Sequence, residues 1–285
     1  MRPIFIKNAT IVNEGTTRKG DLLIEGEEIS YIGNPGEKMS PAGATIIEAS
    51  GKLLLPGIID DQVHFREPGL THKGDILSES RAAVAGGITS FMDMPNTVPQ
   101  TITADLLKEK YLTGTENSLA NYSFYMGATN TNLSEIMKAD PAEVCGIKVF
   151  MGSSTGNMLV DDEQALRDIF KNARMPVAVH CEDETIIKAN TAKYKADYGD
   201  DIPFSMHPMI RSREACLRSS AFAVRLAKEY NTRLHILHLS TADEMKLFSN
   251  EMPLAEKRIT AEVCVHHLWF DESAYETKGS LIKWN

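Results

Sequence analysis

The sequence predicts an α/β protein built on a parallel (β/α)8 barrel of the TIM type, with strand eight missing and a small β part ahead of it. Three observations predict this. Short strand-like segments fill residues 1–55, and from residue 58 onward strands alternate with helices at the spacing of βα units. Several of the later strands end in polar, ligand-type side chains, as the C-terminal mouth of such a barrel requires.

Residues 1–55 contain the strand-like stretches 4–6, 10–12, 21–24, 29–32 and 45–47, separated by turns at Asn13-Glu14-Gly15, Gly26 and Asn34-Pro35-Gly36. They are expected to form the N-terminal part of a composite β-sandwich. Residues 56–285 are expected to form the barrel. Its first strand is the apolar run Leu53-Leu54-Leu55-Pro56-Gly57-Ile58-Ile59, which turns abruptly polar at Asp60-Asp61-Gln62 and ends near His64. A helix over 75–85 stops at Gly86-Gly87, where glycine suits a left-handed cap. Strand two spans 88–92 and runs into Asp93-Met94-Pro95-Asn96-Thr97. A helix over 104–111 then leads to strand three at 122–126, and a helix over 133–138 to strand four at 146–150. A helix over 162–173 leads to strand five at 176–180. An insertion carrying Pro203 and Pro208 precedes a helix over 213–230, strand six at 233–238 and strand seven at 258–263. The sequence shows no internal repeat and no low-complexity segment.

Charge and composition exclude several function classes. A net charge of −9 without a basic cluster argues against a nucleic-acid or anionic-membrane surface. No apolar run approaches the roughly 20 residues of a membrane helix, and the N-terminus lacks a signal-peptide pattern. The 4 cysteines, Cys145, Cys181, Cys216 and Cys264, have no paired spacing, which suits reduced thiols in a cytoplasmic protein.

The chemistry concentrates at strand ends. His64 ends strand one, Lys148 lies on strand four, His180 ends strand five and His238 ends strand six. A single histidine is more often structural than metal-binding, but in a barrel these four positions converge on one mouth. Imidazoles suit Zn2+, and two divalent ions can share a bridging group. Lys148 fits such a site only if its amine has reacted with CO2, because a carbamate is an anion that can bridge two metals. The ordinary alternative is a snorkelling or ion-paired lysine. Gln62 and His64 are two apart and share a face of the strand.

The segments DDQVHFREPG, DMPNT, GIKVFMGSSTGNM, VAVHCED and HILHLST resemble the amidohydrolase superfamily, and within it the class I dihydroorotases, along nearly the whole chain. The resemblance implies a zinc-dependent enzyme of pyrimidine biosynthesis. By a metal-activated hydroxide, it would interconvert N-carbamoyl-L-aspartate and dihydroorotate. It implies one or two zinc ions, with His64, carboxylated Lys148, His180 and His238 as ligands and Gln62 as a further candidate. Arg66, Asn96 and Asn285 would bind the substrate, and Asp60 would orient a ligand from behind. The implied partner is a small molecule, with no nucleic acid and no membrane, and a homodimer is compatible with it.

Two departures from the family pattern matter. Gln62 stands where the family has the first histidine of a histidine–any–histidine motif, and an amide oxygen is a poorer zinc ligand than imidazole. The family's catalytic aspartate would lie beyond Asn285, so no catalytic residue is assigned within the chain. A polypeptide ending there is expected to be inactive and either insoluble or dependent on another chain. The alternatives are a hydantoinase-, dihydropyrimidinase- or allantoinase-like cyclic amidase, and a catalytically silent scaffold homologue.

Overall fold

In a computed structural model the chain divides into two compact units, Met1–Ile58 and Ile59–Asn285. The structure describes residues 1–152 and 158–283. In the first unit β1 (Ile4–Asn13), β2 (Thr16–Glu25) and β3 (Glu28–Gly33) form an antiparallel meander. β4 (Thr45–Glu48) and β5 (Leu53–Leu54) add to β1 in parallel. The two-residue turn Glu14-Gly15 has φ of +47° and +74°, the left-handed pair that matches the twist of a hairpin.

The sequence suggested separate strands at 4–6 and 10–12, and the structure makes them one. A register shift between Ile6 and Ala9 accommodates Asn8 at φ +60°. The displaced Asn8 N–H donates to the buried Asp21 Oδ1 at 2.7 Å, and Asp21 Oδ2 accepts from Gly36 N at 2.8 Å. A bulge whose freed amide is satisfied by a carboxylate lets the strand continue.

In the second unit seven strands form one curled sheet in sequential order. They are β6 (Ile58–Val63), β7 (Ile88–Asp93), β8 (Asn121–Gly127), β9 (Gly146–Phe150), β10 (Val177–His180), β11 (Leu234–Ile236) and β12 (Ile259–Ala261). The helices between them are α1 (Ile76–Ala85), α2 (Ala104–Asn117), α3 (Leu133–Ile136), α4 (Glu163–Asn172), α5 (Glu184–Tyr198), α6 (His207–Ile210) and α7 (Arg213–Tyr230). This is the TIM-type architecture that the strand–helix spacing predicts.

Alternation along each strand sorts its side chains. Ile147, Val149, Val177, Val179, Leu234 and Ile236 pack with Leu166, Ile169, Phe170, Val224 and Leu226 of α4 and α7 in the main core. The intervening residues Lys148, Ala178 and His235 lie in register across β9, β10 and β11 on the opposite face. Side chains then cap the helices: Asp75 accepts from Ser78 N, Asp162 from Ala165 N and Ser212 from Ala215 N.

Three elements differ from the expected ones. Helix α2 runs on to Asn117, well past the expected 111. Helix α5 occupies the stretch read as an insertion. It is capped by Asp183, but Ile187 is its one buried residue, so it has almost no apolar periodicity to read. Strand β11 stops at Ile236, because His238 takes φ +40° and gives its N–H to Glu262 Oε1 at 3.1 Å.

Candidate active site

The site begins at the end of β6, where Val63 O accepts the Met94 N–H that follows β7. Phe65 N donates to Asp93 Oδ1 at 2.9 Å, and Lys110 Nζ of α2 lies 2.7 Å from Asp93 Oδ2. Lys110 also donates to Met94 O at 2.8 Å. This fully buried ion pair ties α2 to the ends of two strands. Between those tethers His64 Nδ1 meets Asn96 Oδ1 at 2.8 Å. An amide oxygen only accepts, so Nδ1 carries the ring proton and Nε2 keeps its lone pair.

The loop after His64 is fitted to the loop after β7. Arg66 sits at φ +71° and Gly69 at φ +79°. A Cβ on Gly69 would lie 1.9 Å from Val98 O, so only glycine permits the approach. Val98 N closes the contact by donating to Pro68 O at 3.1 Å. The REPG and MPNT segments, some thirty residues apart in sequence, are one structural unit.

Lys148 points inward from β9 and is 1% exposed, with Nζ 4.4 Å from the Phe150 ring centroid. It has no ion-pair partner among the described residues. Burial pushes its amine down to about 7, against the opposing influence of Cys181 and Glu262. His180 ends β10, and its Nδ1 faces Nε2 of His238 at 3.1 Å. His180 Nε2 is 2.9 Å from Glu182 Oε2, and Arg211 pairs with the same carboxylate at 3.0 Å.

The electrostatics of these residues are linked. Burial, then Arg66 and Lys148, push His64 down to about 3. Burial and Lys148 also hold His180 and His238 well below the ordinary imidazole range, with Arg211 adding to the first and His180 to the second. Lys148 is thus a shared cationic influence on all three imidazoles. Burial also lowers the Arg66 guanidinium, although Asp93 opposes the shift.

The remaining sequence-predicted residues are placed differently. Asp60 accepts from Gln62 N at 3.1 Å, so its contact is with its own strand end. Gln62 Oε1 accepts the Cys264 thiol at 3.7 Å, across the two end strands of the sheet. Asn96 bonds to His64, a contact the sequence did not suggest. Asn285 lies outside the described residues, as does the centre of the GIKVFMGSSTGNM segment.

Sequence reasoning passed over several polar groups. Asp61 Oδ2 and Glu262 Oε2 each lie 3.4 Å from His235 Nε2. Cys264, His266 and His267 bring a sulfur and two ring nitrogens within 4.8 Å of one another. Glu182 had one available signal, since it follows His180 by two positions in VHCED. Asp93 had another, an acidic residue closing an otherwise uncharged strand.

A family profile described as Dihydro-orotase-like matches residues 51–243. The chain belongs to the dihydro-orotase-like family. It is 31% identical over its whole length to a dihydroorotase of Methanosphaera stadtmanae, covering 64% of that protein. It is 29% identical over 98% of its length to an allantoinase of Deinococcus radiodurans, covering 62% of it. Among solved structures, the L-hydantoinase (dihydropyrimidinase) of Arthrobacter aurescens superposes with a TM-score of 0.90 at 27% identity, over 98% of this chain and 62% of that one. The chain thus spans about three-fifths of these dihydro-orotase-like relatives. Among the described residues no helix is long and apolar enough to cross a membrane.

Proposed function

We propose that this protein is a zinc-dependent cyclic amidohydrolase, and that its substrate pair is dihydroorotate and N-carbamoyl-aspartate. The observation that carries the reading is the meeting of His180 and His238 beside buried Lys148, with the bare Nε2 of His64 on the same mouth. The donor set fits a metal. Two imidazoles on one tetrahedral Zn2+ at about 2.0–2.1 Å place their ligating nitrogens roughly 3.4 Å apart, close to the 3.1 Å separating His180 Nδ1 from His238 Nε2. When bound, a divalent ion supplies Lewis acidity toward a carbonyl oxygen.

The chain's own residues account for the rest of the reading. His64, His180 and His238 would hold metal as neutral ligands. Lys148, pushed down to about 7 by burial, is available in part at neutral pH as the free amine that adds to CO2. The resulting carbamate supplies the negative charge that three imidazoles lack. Arg66 offers a planar, two-donor fork to a ring carboxylate. A dihydroorotate-type substrate carries that carboxylate, whereas a simple hydantoin does not. The free thiols of all four cysteines suit a reducing cytoplasm.

The test is turnover by zinc-loaded protein of dihydroorotate, allantoin and hydantoin in parallel. Preferential turnover of dihydroorotate is expected. Preference for hydantoin or allantoin would overturn the substrate assignment while retaining the reaction class. A second reading, a silent scaffold, draws on Gln62, whose amide oxygen is engaged by Cys264. Protein that takes up no divalent metal and turns over none of the three substrates would favour it.

A further inference from the structure

We propose that Cys264, His266 and His267 form a thiolate-bearing site for a Zn2+-class cation just beyond the end of β12. The proposal goes beyond the function proposed above, because none of His64, Lys148, His180 and His238 supplies a donor to it. Its basis is geometric: one sulfur and a ring nitrogen of each histidine lie within 4.8 Å of one another. A tetrahedral Zn2+, with bonds of about 2.3 Å to sulfur and 2.0–2.1 Å to nitrogen, holds neighbouring donors roughly 3.4–3.6 Å apart. Side-chain shifts of about 1 Å therefore close the three donors around one ion. A sulfur with two imidazoles selects zinc and its neighbours over Mg2+ or Ca2+, which prefer oxygen ligands.

The chain builds the cluster locally. Cys264 is still extended, at φ −79° and ψ 150°, and α8 (Val265–Trp269) begins at the next residue. His267 N donates to Cys264 O at 3.0 Å, and this turn folds the third residue back toward the first. His266 completes the set, with its ring centroid 4.2 Å from that of His267. All three residues are half-buried, while Val265, Leu268 and Trp269 of the same helix stand exposed. The cluster therefore lies near the surface, and a cation has a path to it.

Charge around the sulfur also favours a cation. Burial, then Glu262, Asp60 and Asp61, push the Cys264 thiol up to about 11, in keeping with its role as the donor to Gln62 Oε1 at 3.7 Å. The carboxylates that disfavour a lone thiolate attract a divalent ion, and a coordinating thiol loses its proton outright. Metal uptake thus exchanges the S–H bond for a metal–sulfur bond, with the proton passing to water. It also releases the Gln62 amide, which stands where the family has a histidine.

The experiment titrates the metal-free full chain with Co2+ and, separately, with 113Cd2+. Cobalt should give a thiolate-to-metal charge-transfer band in the near ultraviolet, which imidazole, carbamate and amide ligands do not produce. Cys264→Ser should abolish the band and remove one equivalent of bound cobalt per chain. Cys181→Ser, which changes the thiol next to His180, should keep both. In wild type, 113Cd should couple to the Cys264 β-protons and to ring protons of His266 and His267. No band in wild type, a band retained by Cys264→Ser, or cadmium coupled to Cys181 or Cys216 instead would overturn the proposal. Should the serine variants not fold, the wild-type couplings alone decide. Failure of His64, Lys148, His180 and His238 to take up metal would defeat the function proposed above and leave the Cys264 band in place.

Discussion

Asp93 and Lys110 form an ion pair at 2.7 Å in which both side chains are almost wholly excluded from solvent. The pair joins the end of β7 to helix α2, while the other Asp93 oxygen takes the Phe65 N–H beside His64. Lys110→Met would leave a buried carboxylate without its cation. Breaking one partner of such a pair costs roughly 3–5 kcal/mol, to be read as a lower urea midpoint. Adding Asp93→Asn should recover part of the loss, because the uncompensated charge is then gone. A single variant as stable as the parent would mean that the pair does not tether these elements.

Lys148 is the residue whose chemistry depends most on burial. Protein equilibrated with zinc and 13C-bicarbonate should gain the mass of one CO2 under native conditions and show one carbamate carbon resonance. Lys148→Arg should show neither, because its guanidinium stays protonated and does not add CO2. An unmodified amine in zinc-loaded protein would remove the bridging role.

Arg66→Lys retains the charge and loses the two-donor plane. Losing one charge-assisted hydrogen bond costs about 1.5–3 kcal/mol, or roughly a 10–150-fold rise in KM for dihydroorotate, with zinc content unchanged. An unaltered KM would point to a substrate without a ring carboxylate.

His64 is pushed down to about 3 from an ordinary value of 6.5. Between these limits the unfolded chain binds more protons than the folded one, so stability rises with pH and is lost as pH falls below 6.5. The slope from this residue is about 1.4 kcal/mol per pH unit. Unfolding free energies of wild type and His64→Gln between about pH 6 and pH 4 should differ in slope by that amount. Burial raises Asp60, Asp61 and Glu182, which act in the opposite sense, but they are present in both proteins and cancel in the difference. Equal slopes would show that folded His64 accepts a proton as readily as a free imidazole.

The sequence by itself determined what depends on local pattern. Alternating apolar strands and capped helices specified the seven barrel strands of β6–β12, with β9 at 146–150 and α7 at 213–230 matching the expected bounds. Polar residues on apolar strands or at their ends marked His64, Lys148, His180 and His238, because such a run has few other reasons to carry them. The REPG and MPNT segments pointed to the same family as the matched profile.

Only the tertiary structure decided what depends on meetings across the sheet. Helix α5 was hidden because it buries a single side chain and so leaves no periodic trace. The contacts of Glu182 with Arg211, Asp93 with Lys110 and Gln62 with Cys264 join residues whose separation in sequence predicts nothing about their distance. Register and curvature bring them together, and burial then lowers the imidazoles and the Lys148 amine. Residue types at strand ends are local information, whereas the contacts between them belong to the assembled fold.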